Sequence, residues 1–334
     1  MAWPRRRFLL GLTAILATTA TYPAGERPPW RIMLILYRGM TEAEKGFMEY
    51  FSRRGIAAEF IVRDAHEDRR RIAEFVREAR TLRPDLIYTF GTTVTAEVAG
   101  TIDTVDPTRH ITDIPLVFNI VADPVGARLV PRLTSSGRNL TGASHLVPMD
   151  AQLRALHSVR PARRLGVIYN PAEANSILTI AQLKAAVGRE TTLLLAPMTL
   201  DADEKPVMSE LAAVMNRLLV QQPDFLYLPS DSFVIANARR IIEPARAAGV
   251  PVFSAAETPI RQAGALLGLV SRYYNLGEFV GYKAEQILLG GKRPADIEID
   301  RLNRFSYLVN MEAAKQLKVY PPVSAFKFAE VVKF

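Results

Sequence analysis

The octapeptide YNPAEANS (169–176) carries Asn170, Glu173, Asn175 and Ser176 within seven residues, more polar partners than one helix cap uses. Comparable sets follow other apolar runs. Thr92 and Thr93 come after LIYTFG, Asp123 and Pro124 after LVFNIVA, Asp231 and Ser232 after FLYLPS, and Glu257 after VFSAA. Such residues suit the capture of a small polar molecule. An acid can hold an ammonium, and threonines at a helix start, with free N–H groups beside them, can hold a carboxylate. Each set also has a plainer reading: Thr92 and Asp231 as helix caps, and Asp123-Pro124 as ordinary helix initiation. Tyr37, Phe90, Tyr169, Phe253, Tyr273 and Tyr274 lie near the same run ends, where an aromatic side chain serves either the core or a stacked ligand.

Other chemistry is missing. There is no GxxxxGK or GxGxxG phosphate loop and no GxSxG elbow, and His66, His110, His145 and His157 show no HxxxH or HExxH spacing. With no cysteine in the chain, disulfides, thiol nucleophiles and thiolate metal sites are excluded. No metal, cofactor or catalytic residue is expected, and the protein reads as a binder.

The polar sets need a scaffold, and the sequence states its plan twice. RIMLILYRG and RLGVIYNPA start at Arg31 and Arg164, 133 residues apart; PDLIYTFG and PDFLYLPS start at Pro84 and Pro223, 139 apart; Pro115 and Pro251 in the next apolar run are 136 apart. Three look-alikes in one order at nearly one offset indicate two lobes of one plan. The runs 32–36, 86–90 and 116–121 read as buried parallel strands. Thr41 with Glu44 predicts a capping box and Gly55 a helix stop. Further helices are predicted over 66–82, 175–187, 205–221, 233–248 and 276–289. Alternating strands and helices define an α/β protein of two doubly wound parallel-sheet lobes, with ligand at the carboxyl ends of the strands where the lobes face each other.

At 334 residues the chain is long enough for two such lobes. The start, MAWPRRRFLLGLTAILATTATYPAG, has the basic–apolar–small layout of a signal peptide over residues 1–24, and Arg5-Arg6-Arg7-Phe8-Leu9 fits twin-arginine export as well as a general secretory route. Losing it lowers the formal charge from +8 to about +5, and no basic block interleaved with aromatics suggests nucleic acid.

IPLVFNIVADPVGARLV with SGRNLTGAS, YNPAEANS, PDFLYLPSDSFV and SRYYNLGEFVGYKAEQILLGGKRPADIEI together resemble the ABC-transporter substrate-binding proteins of the tryptophan/tyrosine-binding type, over 31–322. The resemblance implies a type I periplasmic-binding fold with a three-crossover hinge. The lobes would comprise 30–147 with 275–303 and 148–274 with 304–334, and the later crossings would fall at 271–277 and 301–305. It also implies a monomer without catalysis that passes its ligand to a permease with a cytoplasmic ATPase. Carboxylate recognition is then expected from Thr92 and Thr93 with Asn175 and Ser176 opposite, and ammonium recognition from Asp231, Glu257 or Asp123. Tyr37, Ser144, Asn170, Glu173, Ser232 and Tyr273 complete the expected site. Arg272 stands where relatives commonly carry an acid, which would suit a more acidic ligand. The residues from 254 to 263 also differ from the relatives' pattern. The tail 323–334 is expected to run past the usual family end, with Phe326 and Phe328 packing as an edge strand. With no lipid-modifiable cysteine, the protein would be free in the periplasm or held by an uncleaved signal. A sensing module feeding a receptor, a binder of acidic or nucleoside-like compounds, and a periplasmic enzyme are the alternatives.

Overall fold

The computed structural model describes residues 27–301 and 305–332; the segment 1–24 expected to be a signal peptide lies outside them. β1 (Trp30–Leu36), β2 (Ala58–Asp64), β3 (Leu86–Phe90), β4 (Leu116–Val121) and β5 (Leu140–Ser144) form a parallel sheet in the order β2-β1-β3-β4-β5. β6 (Arg164–Tyr169), β7 (Thr192–Pro197), β8 (Phe225–Leu228), β9 (Val252–Ser254) and β10 (Leu267–Val270) repeat that order as β7-β6-β8-β9-β10. The look-alike segments are therefore β1 and β6, β3 and β8, β4 and β9. Apolar clusters cover both faces of each sheet.

The repeated Pro-Asp has a structural role. Asp85 accepts the Arg31 N–H at 2.8 Å, and Asp224 accepts those of Arg163 and Arg164 at 2.8 Å each. Each aspartate caps the amino end of the neighbouring strand, β1 or β6, at the amino edge of the sheet. The two copies share this device because they share a topology.

The helices are α1 (Glu42–Arg53), α2 (Ile72–Leu82), α3 (Gly91–Ala99), α4 (Met149–His157), α5 (Ala174–Ala186), α6 (Leu211–Val220), α7 (Ser232–Ala236), α8 (Ala238–Ala247), α9 (Glu257–Gln262), α10 (Tyr273–Leu288) and α11 (Met311–Leu317). The Thr41–Glu44 capping box is present, and the buried Glu44 also accepts the Tyr88 hydroxyl at 2.6 Å. Some expectations need correction. The helix predicted from 66 begins at 72, because His66 and Glu67 adopt left-handed backbone (φ 51° and 59°). The helix predicted over 233–248 is two, broken at Asn237. Asp123-Pro124 opens a turn over 124–128 and not a helix, with Asp123 accepting the Gly126 N–H at 2.9 Å.

The chain passes between the sheets three times. It leaves β5 for α4, and leaves β10 for α10, which returns to pack on α1. From β11 (Asp300–Arg301), parallel to β5, it crosses back through 302–304, outside the described residues, to β12 (Ser306–Asn310). β12 pairs antiparallel with β10, so the second sheet is not wholly parallel. A strand arriving from the other lobe needs no βαβ crossover and is free to run the opposite way.

β13 (Ala329–Val332) extends the sheet beside β12. The edge strand is thus real, but Phe326 lies in a 3-10 turn and Phe328 is 69% exposed, its ring in a T-shaped contact with Tyr307 at 5.7 Å between centroids.

Candidate ligand-binding site

Loops at the carboxyl ends of β1, β3, β4, β6 and β8 converge between the lobes around a small cavity of about 10 Å³, room for about one water molecule. The first lobe lines it with Tyr37, Arg38, Phe90, Gly91, Thr92, Thr93 and Ile120; the second lines it with Glu173, Asn175, Ser230 and Ser232. Gly91 adopts φ 81°, a left-handed conformation that turns the chain from β3 into α3 and aims that helix's N-terminus at the cavity. Ile120 sits at φ 54° in a register shift between β4 and β5, an uncommon state for a β-branched residue beside a candidate site.

The lobes touch here. Thr92 Oγ1 donates to Asn175 Oδ1 across the cleft, and both residues are almost fully buried. Nearby, His145 Nε2 lies 3.1 Å from Ser230 Oγ, which lies 3.2 Å from the Tyr273 hydroxyl. Burial pushes the His145 pKa down to about 4, so this histidine is neutral near pH 7. Replacing Thr92 with valine keeps the volume and removes the cross-lobe bond. A threefold to tenfold loss of affinity for a small molecule held between the lobes, about 1 kcal/mol, is expected with little change in the melting temperature of the empty protein. Calorimetric titration of the variant tests this, and unchanged affinity would show the bond to be idle.

The two acids of the second lobe divide their roles. Asp231 accepts from Asn170 N at 2.7 Å, Val234 N at 2.9 Å and the Ser176 hydroxyl, so it caps α7 and fixes the β6–α5 loop. Glu173 lines the cavity and, among the described residues, accepts only from Ser232, at 2.8 Å from its N–H and 3.2 Å from its hydroxyl. Burial, and next the charge of Asp231, raise the Glu173 pKa to about 8. With three donors already on Asp231, the proton of this coupled pair resides on Glu173.

Of the expected site residues, Tyr37, Thr92, Thr93, Glu173, Asn175 and Ser232 meet at the cavity. Asn170 borders the neighbouring groove, while Tyr273 and Glu257 border a groove on the other side, where Glu257 pairs with Arg261. Ser176 supports Asp231 from beneath. Ser144 donates to the Ala122 carbonyl at 2.6 Å inside the first lobe, and Asp123 serves its turn. Arg272 does not line the cavity. Its guanidinium pairs with Glu330 of β13, and its Nε lies 3.1 Å from Ser306 Oγ, so it ties the crossover segments to the tail. The basic residue at the cavity is Arg38, over the Phe90 ring at 5.3 Å from its centroid. Sequence reading missed it; its signal was its place directly after β1, next to Tyr37. Ser230 was missed too, hidden beside the better cap Asp231.

Two α/β lobes with a polar cavity at the facing carboxyl edges of their sheets define a small-molecule binding protein of the type I periplasmic fold. The family model described as ABC transporter substrate binding protein matches residues 32–333, and the chain belongs to that family. The match includes most of the tail, which therefore does not run past the family's end. The chain is 26% identical over 293 residues to a tyrosine-binding protein of Clostridioides difficile, covering 85% of this chain and 79% of that one. A Streptococcus pneumonia structure in complex with L-Trp aligns with a TM-score of 0.77 at 21% identity, covering 90% of this chain and 99% of that one. The ligand-free, open structure of a substrate-binding protein with adhesive properties from Clostridium difficile aligns with a TM-score of 0.65 at 24% identity, covering 91% and 99%. Among the described residues no helix is long and apolar enough to cross a membrane, and no cluster of acids and histidines could hold a metal ion.

Proposed function

We propose that the protein is exported and captures an aromatic amino acid, or a related carboxylate, between its lobes for delivery to a membrane permease. One observation carries this reading: the cavity opposes a buried carboxylate, Glu173, to the cation Arg38 and the N-terminus of α3. A zwitterion matches that arrangement, its ammonium on Glu173 and its carboxylate on Thr92, Thr93 and Arg38. Ammonium recognition thereby moves from Asp231, whose oxygens are engaged, to the neighbouring glutamate. Tyr37 and Phe90 offer faces for an aromatic side chain. The lobes 30–147 with 275–303 and 148–274 with 304–334 are the units taken to move, and closure gives a permease a state to read. An anionic ligand is the second reading, favoured by Arg38 at the cavity beside Thr92, Thr93 and the N-terminus of α3.

A thermal-shift panel of amino acids, aromatic acids, dicarboxylates and nucleosides tests the ligand class. Tryptophan, tyrosine or phenylalanine at 100 times its dissociation constant should add about 2.7 kcal/mol, a rise of roughly a few degrees. A response confined to dicarboxylates or nucleosides would discard the amino-acid reading.

A further inference from the structure

The cavity continues past Tyr37 and Thr93 into a groove walled by Asp68 and Arg70 from the first lobe and Asp203 and Lys205 from the second. Two ion pairs cross it: Arg70 Nη1 to Asp203 Oδ1 at 2.8 Å, and Lys205 Nζ to Asp68 Oδ2 at 3.1 Å. Asp68 also accepts from Arg70 at 3.0 and 2.9 Å, so the four charges form one network. Arg70, and after it Lys205, holds the Asp68 carboxyl well below the usual range against some desolvation.

The loops presenting these charges are held in place. His66 and Glu67 on one side and Glu204 on the other adopt left-handed backbone, which non-glycine residues keep only where their surroundings impose it. Glu67 N donates to the Tyr37 carbonyl at 2.7 Å, while Asp203 N and Lys205 N donate to Asp201 Oδ1 at 2.9 and 2.8 Å.

We propose that Asp68, Arg70, Asp203 and Lys205 form a salt-sensitive latch that favours closed lobes with or without ligand and slows escape past Tyr37. The latch rests on the hinge motion proposed above but on no particular ligand. Its pairs join the two lobes, so opening breaks them and their whole free energy enters the closed–open equilibrium. An exposed pair within one lobe, such as Arg83 with Asp113, does not enter it. Exposed pairs are individually weak and screened by salt, which suits a latch that must be undone.

The test needs no ligand. One cysteine introduced per lobe, in a chain with none of its own, carries a dye pair for energy transfer. Raising sodium chloride from about 20 to about 500 mM should lower the closed-to-open ratio roughly threefold to tenfold. Arg70→Ala should show a lowered ratio already at low salt and lose about half of the salt response, because the Lys205–Asp68 pair still crosses the groove. Exchanging charges within one loop, Asp203→Lys with Lys205→Asp, leaves net charge unchanged but sets like charges face to face, and should open the protein further than alanine does. Arg83→Ala should behave as the parent. An exchange variant that closes like the parent at low salt, or a parent with no salt-dependent opening, overturns the latch. Neither result bears on which compound the cavity accepts.

Discussion

Replacing Glu173 with glutamine is expected to weaken binding of L-tryptophan, or whichever amino acid responds in the thermal panel, about a hundredfold. Losing one member of a buried, hydrogen-bonded charge pair typically removes 2–5 kcal/mol, and about 2.7 kcal/mol corresponds to that factor. The same change should stabilise the empty protein at alkaline pH. Glu173 has an ordinary pKa of 4.5 when unfolded and about 8 when folded, so the folded state holds an extra proton between those values. Below pH 4.5 the carboxyl is protonated in both states and contributes no penalty. As pH rises from 4.5 towards 8, the unfolded chain ionises this carboxyl freely while the folded protein holds the proton, so stability falls until the folded pKa is passed. Melting the empty protein at pH 5 and pH 8 should therefore show a decline that Glu173→Gln largely abolishes. A ligand ammonium would restore the ionised carboxylate, so binding near neutral pH should release a proton, seen as a buffer-dependent heat. Undiminished affinity in the variant would remove Glu173 from ligand recognition.

The second large effect concerns the helix that returns from the hinge. A Cβ on Gly277 of α10 would lie 2.0 Å from the Ala43 carbonyl oxygen and 2.7 Å from Phe47 N, and one on Gly46 of α1 would lie 2.1 Å from the Tyr274 carbonyl oxygen. These neighbours are backbone atoms, which cannot rotate aside, so a single methyl must separate the helices. Gly277→Ala should cost about 3 kcal/mol despite alanine's better helix propensity. The melting temperature should fall by roughly 6–10 °C. Tyr282→Ala, at a half-exposed position on the same helix, should change it by no more than about 2 °C. Equal melting temperatures for Gly277→Ala and the parent would mean that α1 and α10 can move apart freely.

Much of the architecture was legible because it rests on local signals. β1, β3 and β4 are continuous apolar runs, as strands buried on both faces must be, and their copies in β6, β8 and β9 disclosed the two-lobe plan. β2 and β7 escaped notice at the sheet edges, where both are only partly covered; β2 mixes polar residues among its apolar ones, and the short LLLA run of β7 had no counterpart in the repeat. β5 escaped for another reason. Its LTGAS has no apolar run, since a Cβ at Gly142 would strike the Phe118 carbonyl oxygen at 2.2 Å and only small residues fit.

At the cavity, sequence by itself determined the neighbourhood. Ligand-type residues follow parallel strands, and Thr92, Thr93, Glu173, Asn175 and Ser232 were found on that ground alone. Tertiary structure decided which of them have an atom to spare. Asp231 and Glu173 look alike in sequence, yet three donors engage one and only Ser232 engages the other. Arg272 and Glu330 are far apart along the chain, and only the fold of β13 onto β12 brings them together and takes Arg272 out of contention. Arg38 gains its importance in the same way, from facing an acid on the other lobe. Period and composition record which face of an element is buried, because burial follows local pattern. They do not record which polar groups meet across a cleft, because that depends on how two separately folded sheets are set against each other.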